Sequence, residues 1–362
     1  MDTAMTLRKS LFAGIVISLL ACSLVLPARD VAAQDGAAAG TFRERLKQRW
    51  IKAQQSKPAP ESSSDTASRI TKPGDYTFSI VHDGRTRLYR VHVPQKYSAA
   101  TAAPLLMAFH GGGGDMEYMA SDKAYGLISK SEAEGFVVVF PNGISKLNSG
   151  KFATWNAGTC CGNARDQNVD DVGFVKQIIG NLTRQLNIDR NQIYATGMSN
   201  GGMMTYRLAC EMSDTFKAIA SVAGTDNTMS CTPKAPISIL HIHARDDDHV
   251  LYNGGAGKPF RDMSKVSDFT SVPATISKWV KLDHCNPRPQ RVLDTPGAYC
   301  DKYSQCRDNV AVQLCVTETG GHSWPGGTKI RGGEPASQAI SADDVMWAFF
   351  TSIRSPNTAK NQ

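Results

Sequence analysis

Between Tyr76 and Ile353, short unbroken apolar runs alternate with helical patterns, and this alternation limits the fold more than any other feature of the chain. Leu105-Leu106-Met107-Ala108-Phe109 and Phe136-Val137-Val138-Val139-Phe140 are apolar at every position. A strand with one solvated face would alternate, so these strands must be covered on both faces. Ile193 to Thr196, Ile219 to Val222, Ile237 to Ile242 and Val310 to Val316 read the same way. Helices are expected over Met116 to Ala133, from an Asp170-Asp171 cap to Leu186, over Ala274 to Leu282 and over Ala342 to Ile353. Thr77 to Val81 and Leu88 to Val93 flank Asp83-Gly84, a hairpin signal. Strands alternating with helices predict an α/β fold with a mostly parallel central sheet and helices on both faces. No second core is visible, so residues 73–356 are read as one catalytic domain and 357–362 as a tail.

The ends carry a different chemistry. Residues 1–33 read as a signal peptide: Arg8-Lys9, an apolar stretch from Leu11 to Pro27, then Val31-Ala32-Ala33 before Gln34. The rival reading, lipidation at Cys22, is opposed by the apolar run continuing past that cysteine. Residues 34–72 read as a basic leader ending in a Pro/Ser-rich linker. Lys and Arg exceed Asp and Glu by 7 over the chain, and most of the excess lies in this leader. Its Phe42, Leu46 and Trp50 form a stripe at helical spacing among basic residues. A solvated helix explains residues 41–54 most simply, and weak contact with an anionic envelope is the alternative. The body is nearly neutral, so charge gives no reason to expect a nucleic-acid partner.

Export also accounts for the cysteines. Of nine, Cys22 would leave with the signal, and an even set of eight in an exported protein predicts disulfides. Cys285, Cys300, Cys306 and Cys315 should pair among themselves. Adjacent Cys160 and Cys161 should take two different partners.

Gly197-Met198-Ser199-Asn200-Gly201 is a G-x-S-x-G pattern placed between a strand and a helix. That context lifts Ser199 Oγ above the sheet edge and aims a helix N-terminus at developing negative charge. A serine needs a base, itself oriented by an acid, and in such folds the order is Ser, acid, His. Of the later histidines, His322 lies in a Gly-rich loop just after a strand. His241 and His243 lie within a strand and read as packed, hydrogen-bonded core residues. The acid should follow the strand ending at His243, where Asp246, Asp247 and Asp248 are adjacent. The pattern does not choose among them. A metal reading of His241, His243, Asp246 and His249 fails because the di-zinc spacing needs an acid at Arg245 and a histidine at Asp246. Amides for an oxyanion hole are expected from Asn200 and from Gly112-Gly113 in His110-Gly111-Gly112-Gly113-Gly114.

Together these motifs resemble the polyhydroxybutyrate depolymerase type of α/β-hydrolase esterase, a group similar to feruloyl and acetyl-xylan esterases. The resemblance spans about residues 74–354. It also rests on Trp155-Asn156-Ala157-Gly158 with Cys160-Cys161-Gly162, on Val169 to Phe174, on Tyr206 to Cys210, and on Gly320 to Gly326. It implies Asp247 as the acid, because H-G-T-x-D-x-x-V-P-Y lies over His243 to Tyr252, with Ala244-Arg245 and Leu251 as departures. It implies Trp155, Tyr252 and Trp324 as substrate-wall residues. The expected activity is that of an exported serine carboxylesterase, periplasmic or extracellular, working without a cofactor. Ser199, Asp247 and His322 would be its triad, and hydroxyalkanoate oligomers its substrate. Feruloyl or acetyl esters of plant polysaccharide are the alternative. A peptidase and a non-catalytic binding protein on the same scaffold are the more distant readings.

Overall fold

A computed structural model describes residues 69–147, 149–259, 268–330 and 334–353. The expected signal peptide, the basic stripe at 41–54 and the tail lie outside the described residues. Among those residues, ten strands form one sheet. They are β1 (Gly74–His82), β2 (Arg85–Val93), β3 (Ala103–Phe109), β4 (Val137–Pro141), β5 (Ile188–Met198), β6 (Ala218–Val222), β7 (Ser238–Ala244), β8 (Gln290–Thr295), β9 (Ala298–Tyr303) and β10 (Val312–Thr317). The spatial order is β1-β2-β4-β3-β5-β6-β7-β10-β9-β8. The pairs from β4 to β10 are all parallel, and the two flanks are antiparallel.

The helices are α1 (Met116–Met119), α2 (Asp122–Tyr125), α3 (Leu127–Glu134), α4 (Gly162–Asp166), α5 (Asp171–Gln185), α6 (Asn200–Glu211), α7 (Val272–Leu282) and α8 (Ala342–Ser352). Two apolar cores lie on opposite faces of the sheet. One takes Phe174 and Ile178 of α5, Met204 and Leu208 of α6, and Ile276 and Trp279 of α7. The other takes Leu127 of α3 with Met346, Trp347 and Phe350 of α8. Every residue of β4, β6, β7 and β10 is buried, as strands covered on both faces require. None of the helices in the described residues is long and apolar enough to cross a membrane.

Four expectations change. The helix expected over Met116 to Ala133 is three short pieces, because Gly126 turns left-handed at φ 67° and ends the second of them. The β8–β9 hairpin escapes a search for apolar runs, since β8 is mostly exposed at the sheet edge. The leader ends earlier than residue 72. Ile70 is buried in the core and its amide donates to Gln185 Oε1 at 3.0 Å.

The fourth concerns the cysteines. Cys160 and Cys161 pair with each other rather than with different partners. The other six described cysteines are consumed by Cys210–Cys231, Cys285–Cys306 and Cys300–Cys315, which among the described residues leaves these two only one another. The four late cysteines do pair among themselves. Cys300 and Cys315 face each other across the β9–β10 ladder, tying the antiparallel flank to the parallel sheet.

Candidate active site

Ser199 sits at the carboxyl end of β5, in the turn to α6, at φ 56° and ψ −123°. A non-glycine residue reaches that conformation only when its surroundings impose it. Here the glycines on either side are required by space. A Cβ on Gly197 would come within 2.5 Å of the Gly201 backbone, and one on Gly201 would strike the carbonyls of Phe109 and His110. The turn therefore packs its backbone directly against the end of β3. As the first residue of α6, Asn200 offers its amide among the unpaired N–H groups of a helix N-terminus.

His322 and Ser199 line one cavity of about 750 Å³. His322 Nδ1 donates to Asp247 Oδ2 at 2.8 Å, across 75 residues of sequence. The other oxygen of Asp247 accepts from the amides of His249 at 2.8 Å and Val250 at 2.9 Å. Burial pushes the Asp247 carboxyl up, but the charge and hydrogen bond of His322, with help from His243 and the His249 amide, hold it below the usual carboxylate value. Asp247 is therefore ionised and nearly inaccessible, as an acid that orients a histidine must be.

Its neighbours do other work. Asp246 Oδ1 accepts from the Gly321 amide at 2.8 Å, pinning the loop that carries His322. Asp248 Oδ1 pairs with His249 Nδ1 at 2.7 Å. The His249 ring stacks on His322, centroids 4.5 Å apart and planes 17° apart. Burial, then the neighbouring His322, lower the His249 pKa. Asp247, His249 and His322 also offer metal-ligand atoms within 4.8 Å of one another, but the Asp247–His322 and Asp248–His249 bonds already engage one nitrogen of each ring.

The Gly-rich loop after β3 is only partly as expected. Gly112 lines the cavity, whereas Gly113 does not, and its amide is spent on Ala153 O at 2.9 Å. His110 explains how the loop holds its shape. Its Nε2 accepts from the Gly143 amide at 3.0 Å, so its proton lies on Nδ1, which donates to Gly111 O at 2.8 Å.

Trp155 does not form the substrate wall. It is fully buried, its Nε1 donates to His110 O at 3.0 Å, and both its backbone groups are clamped by the Asn200 side chain. It braces the Gly-rich loop from behind. Tyr252 is likewise not among the described lining residues. Its ring lies edge-on to His243 and under the Arg245 guanidinium, 5.0 Å from the ring centroid. Trp324 does line the cavity, at a right-angled contact with Tyr125, which makes another with Tyr118. Tyr118, Tyr125 and Phe269 were not singled out from the sequence, and His249 was weighed there only as a metal ligand. Only the proximity of the two tyrosines to the Gly-rich loop could have suggested them.

Residues 127–235, less than half of the chain, match the model of the Prolyl oligopeptidase family. Feruloyl esterase B of Piromyces equi is 30% identical over 64% of this chain, and the chain spans 42% of that protein's length. The putative esterase NocK of Nocardia uniformis subsp. tsuyamanensis is 29% identical over 69% of this chain and 74% of its own. The solved acetyl xylan esterase from Aspergillus awamori superimposes with a TM-score of 0.51 at 14% identity, covering 76% of this chain and 99% of that one, a likeness of fold. The chain has the α/β-hydrolase fold. The elbow of this α/β-hydrolase lies between the parallel strands β3 and β6, at the carboxyl edge where open α/β sheets bind ligands.

Proposed function

We propose that this chain hydrolyses carboxylic esters through an acyl-enzyme on Ser199, with Asp247 and His322 completing the triad. The observation that carries this is the hydrogen bond from His322, which lines the same cavity as Ser199, to the buried Asp247 carboxylate behind it. His322 takes the Ser199 proton as Oγ attacks the carbonyl carbon. The amides of Asn200 and Gly112 stabilise the oxyanion. His322 then protonates the departing alkoxide, and water attacks the acyl-enzyme by the same route in reverse.

For the substrate, we infer an aromatic acyl ester on a polysaccharide, of the feruloyl type. Tyr118, Tyr125 and Trp324 form an unbroken series of ring contacts along the cavity, a wall larger and more aromatic than an acetyl group needs. The relatives named feruloyl esterase support the same choice. Hydroxyalkanoate oligomers are the second reading, favoured by Gly320 to Gly326 and the other shared motifs. Methyl ferulate, hydroxybutyrate trimers and acetylated xylan, each assayed with wild type and Ser199→Ala, decide among them. The expected outcome is the highest kcat/KM on methyl ferulate, and loss of about 10⁴-fold or more in the variant. Retained turnover by Ser199→Ala on all three would sink the mechanism, and preference for the trimer would replace the substrate. Export is part of the proposal. N-terminal sequencing of the mature protein should begin at Gln34.

A further inference from the structure

Behind Asp247 lies a chain of buried polar side chains that the mechanism above leaves unused. Tyr206, two turns into α6 from Ser199, is fully buried. Its hydroxyl lies 2.8 Å from His241 Nδ1. His241 Nε2 lies 3.1 Å from His243 Nδ1, their rings stacked at 10° on one face of β7. His243 Nε2 lies 2.8 Å from Val250 O and 3.4 Å from Asp247 Oδ2. The series thus runs from the nucleophile's helix to the carboxylate that holds His322.

One carbonyl fixes every proton along it. Val250 O only accepts, so His243 Nε2 carries hydrogen. A neutral imidazole has one N–H, so His243 Nδ1 accepts and His241 Nε2 must donate. His241 Nδ1 then accepts, and the Tyr206 hydroxyl donates. Neutral rings are what such burial enforces: desolvation lowers the pKa of both histidines. The result is that the His243 N–H goes to Val250 O, whose own amide donates to Asp247 Oδ1, and that the N–H edge of the ring rather than a lone pair lies 3.4 Å from Asp247 Oδ2. Asp247 Oδ2 accepts from His322, and Oδ1 accepts from two amides, one of them that of Val250, the residue whose carbonyl His243 holds.

We propose that His243 is a positioning residue for the Asp247 carboxylate, kept in its donating tautomer by Tyr206 through His241. Burying three polar groups in an apolar core is costly unless each is satisfied, and these are satisfied in only one proton arrangement. In that arrangement the donor end faces the acid. If His243 turned its lone pair to Val250 O, that carbonyl would be repelled and the Val250 amide drawn off Asp247 Oδ1. The inference rests on the triad proposed above.

The test uses the full-length enzyme and a short p-nitrophenyl ester, with kcat and KM measured separately. His243→Leu should lower kcat about 10- to 100-fold with KM within about twofold, since the bond that holds Val250 and its amide against Asp247 is lost without touching the cavity. His243→Gln places an amide N–H where Nε2 stood and should recover most of that loss. Tyr206→Phe, which keeps the ring on Trp279, should lower kcat about 3- to 10-fold. A core-packing role would instead make Leu and Gln equally poor, or leave Tyr206→Phe at wild-type kcat, and either result overturns the proposal. If His243→Leu does not fold, Tyr206→Phe decides alone. Ser199→Ala separates the two readings. Hydrolysis surviving in it refutes the triad, whereas an inactive Ser199→Ala beside a normal Tyr206→Phe refutes only the role of His243.

Discussion

The proposed nucleophile and the proposed acid–base pair are held by different physics. Ser199 is fixed by backbone sterics: a left-handed φ, and glycines at 197 and 201 pressed against neighbouring main chain. Asp247 and His322 are fixed by hydrogen bonds between loops far apart in sequence. Steric fixing is all-or-none and concerns stability first. Polar fixing is graded, and a small loss appears in turnover before it appears in folding. The contrast explains why the elbow tolerates no side chain at Gly201, while three adjacent aspartates do three different jobs.

The largest expected effect tests the polar side. Asp247→Asn should cut kcat by about 10⁴-fold, because the amide can no longer hold His322 with its proton on Nδ1. Asp246→Asn and Asp248→Asn should stay within about tenfold, because each loses a bond to a neighbour of the pair rather than to His322 itself. A comparable loss at either would remove the distinction drawn among the three.

On the steric side, Gly201→Ala should destabilise the fold by about 3 kcal/mol or more, read as a fall in denaturation midpoint, since its Cβ meets rigid carbonyl oxygens. A stable, fully active Gly201→Ala would show that the turn has slack the structure does not display.

pH should reveal the buried histidines. The pKa values of His241 and His243 are lowered in the folded protein, chiefly by burial. The unfolded chain therefore binds more protons at these sites than the native one as pH falls below about 6.5. Their contribution is complete above that value and is lost on acidification towards the folded pKa values, at up to about 1.4 kcal/mol per pH unit for each ring. Thermal unfolding followed from pH 8 to pH 5 should show the drop. His241→Asn should flatten it even where the variant is less stable overall.

The smallest effect expected is that of Trp155→Phe, which deletes the Nε1 bond to His110 O and keeps the packing on Phe109. A loss of about 1 kcal/mol in stability with little change in KM would fit a brace behind the Gly-rich loop. A large rise in KM would return Trp155 to the substrate wall.

Much of this was legible in the chain because it depends on near neighbours. The doubly covered strands announce themselves as unbroken apolar runs, and β3, β4, β6, β7 and β10 lie where those runs do. Ser199 was legible because strand, glycines and helix sit within a few residues of it. The edge hairpin was not, since a strand half in solvent needs no apolar run. Trp155 and Tyr252 went astray because a motif residue beside an active site can face inward or outward, and adjacency in sequence does not say which. The pairing of Cys160 with Cys161 followed only when the other cysteines had found partners across the fold.

The sequence by itself determined the parallel sheet and the elbow that carries Ser199, because periodicity and steric exclusion act over a few residues. The tertiary structure decided which aspartate meets His322, that Gly113 spends its amide on Ala153, and that Tyr206, His241 and His243 line up behind Asp247. Those depend on directed contacts of about 3 Å between distant segments, and hydrogen-bond direction exists only once the segments are side by side.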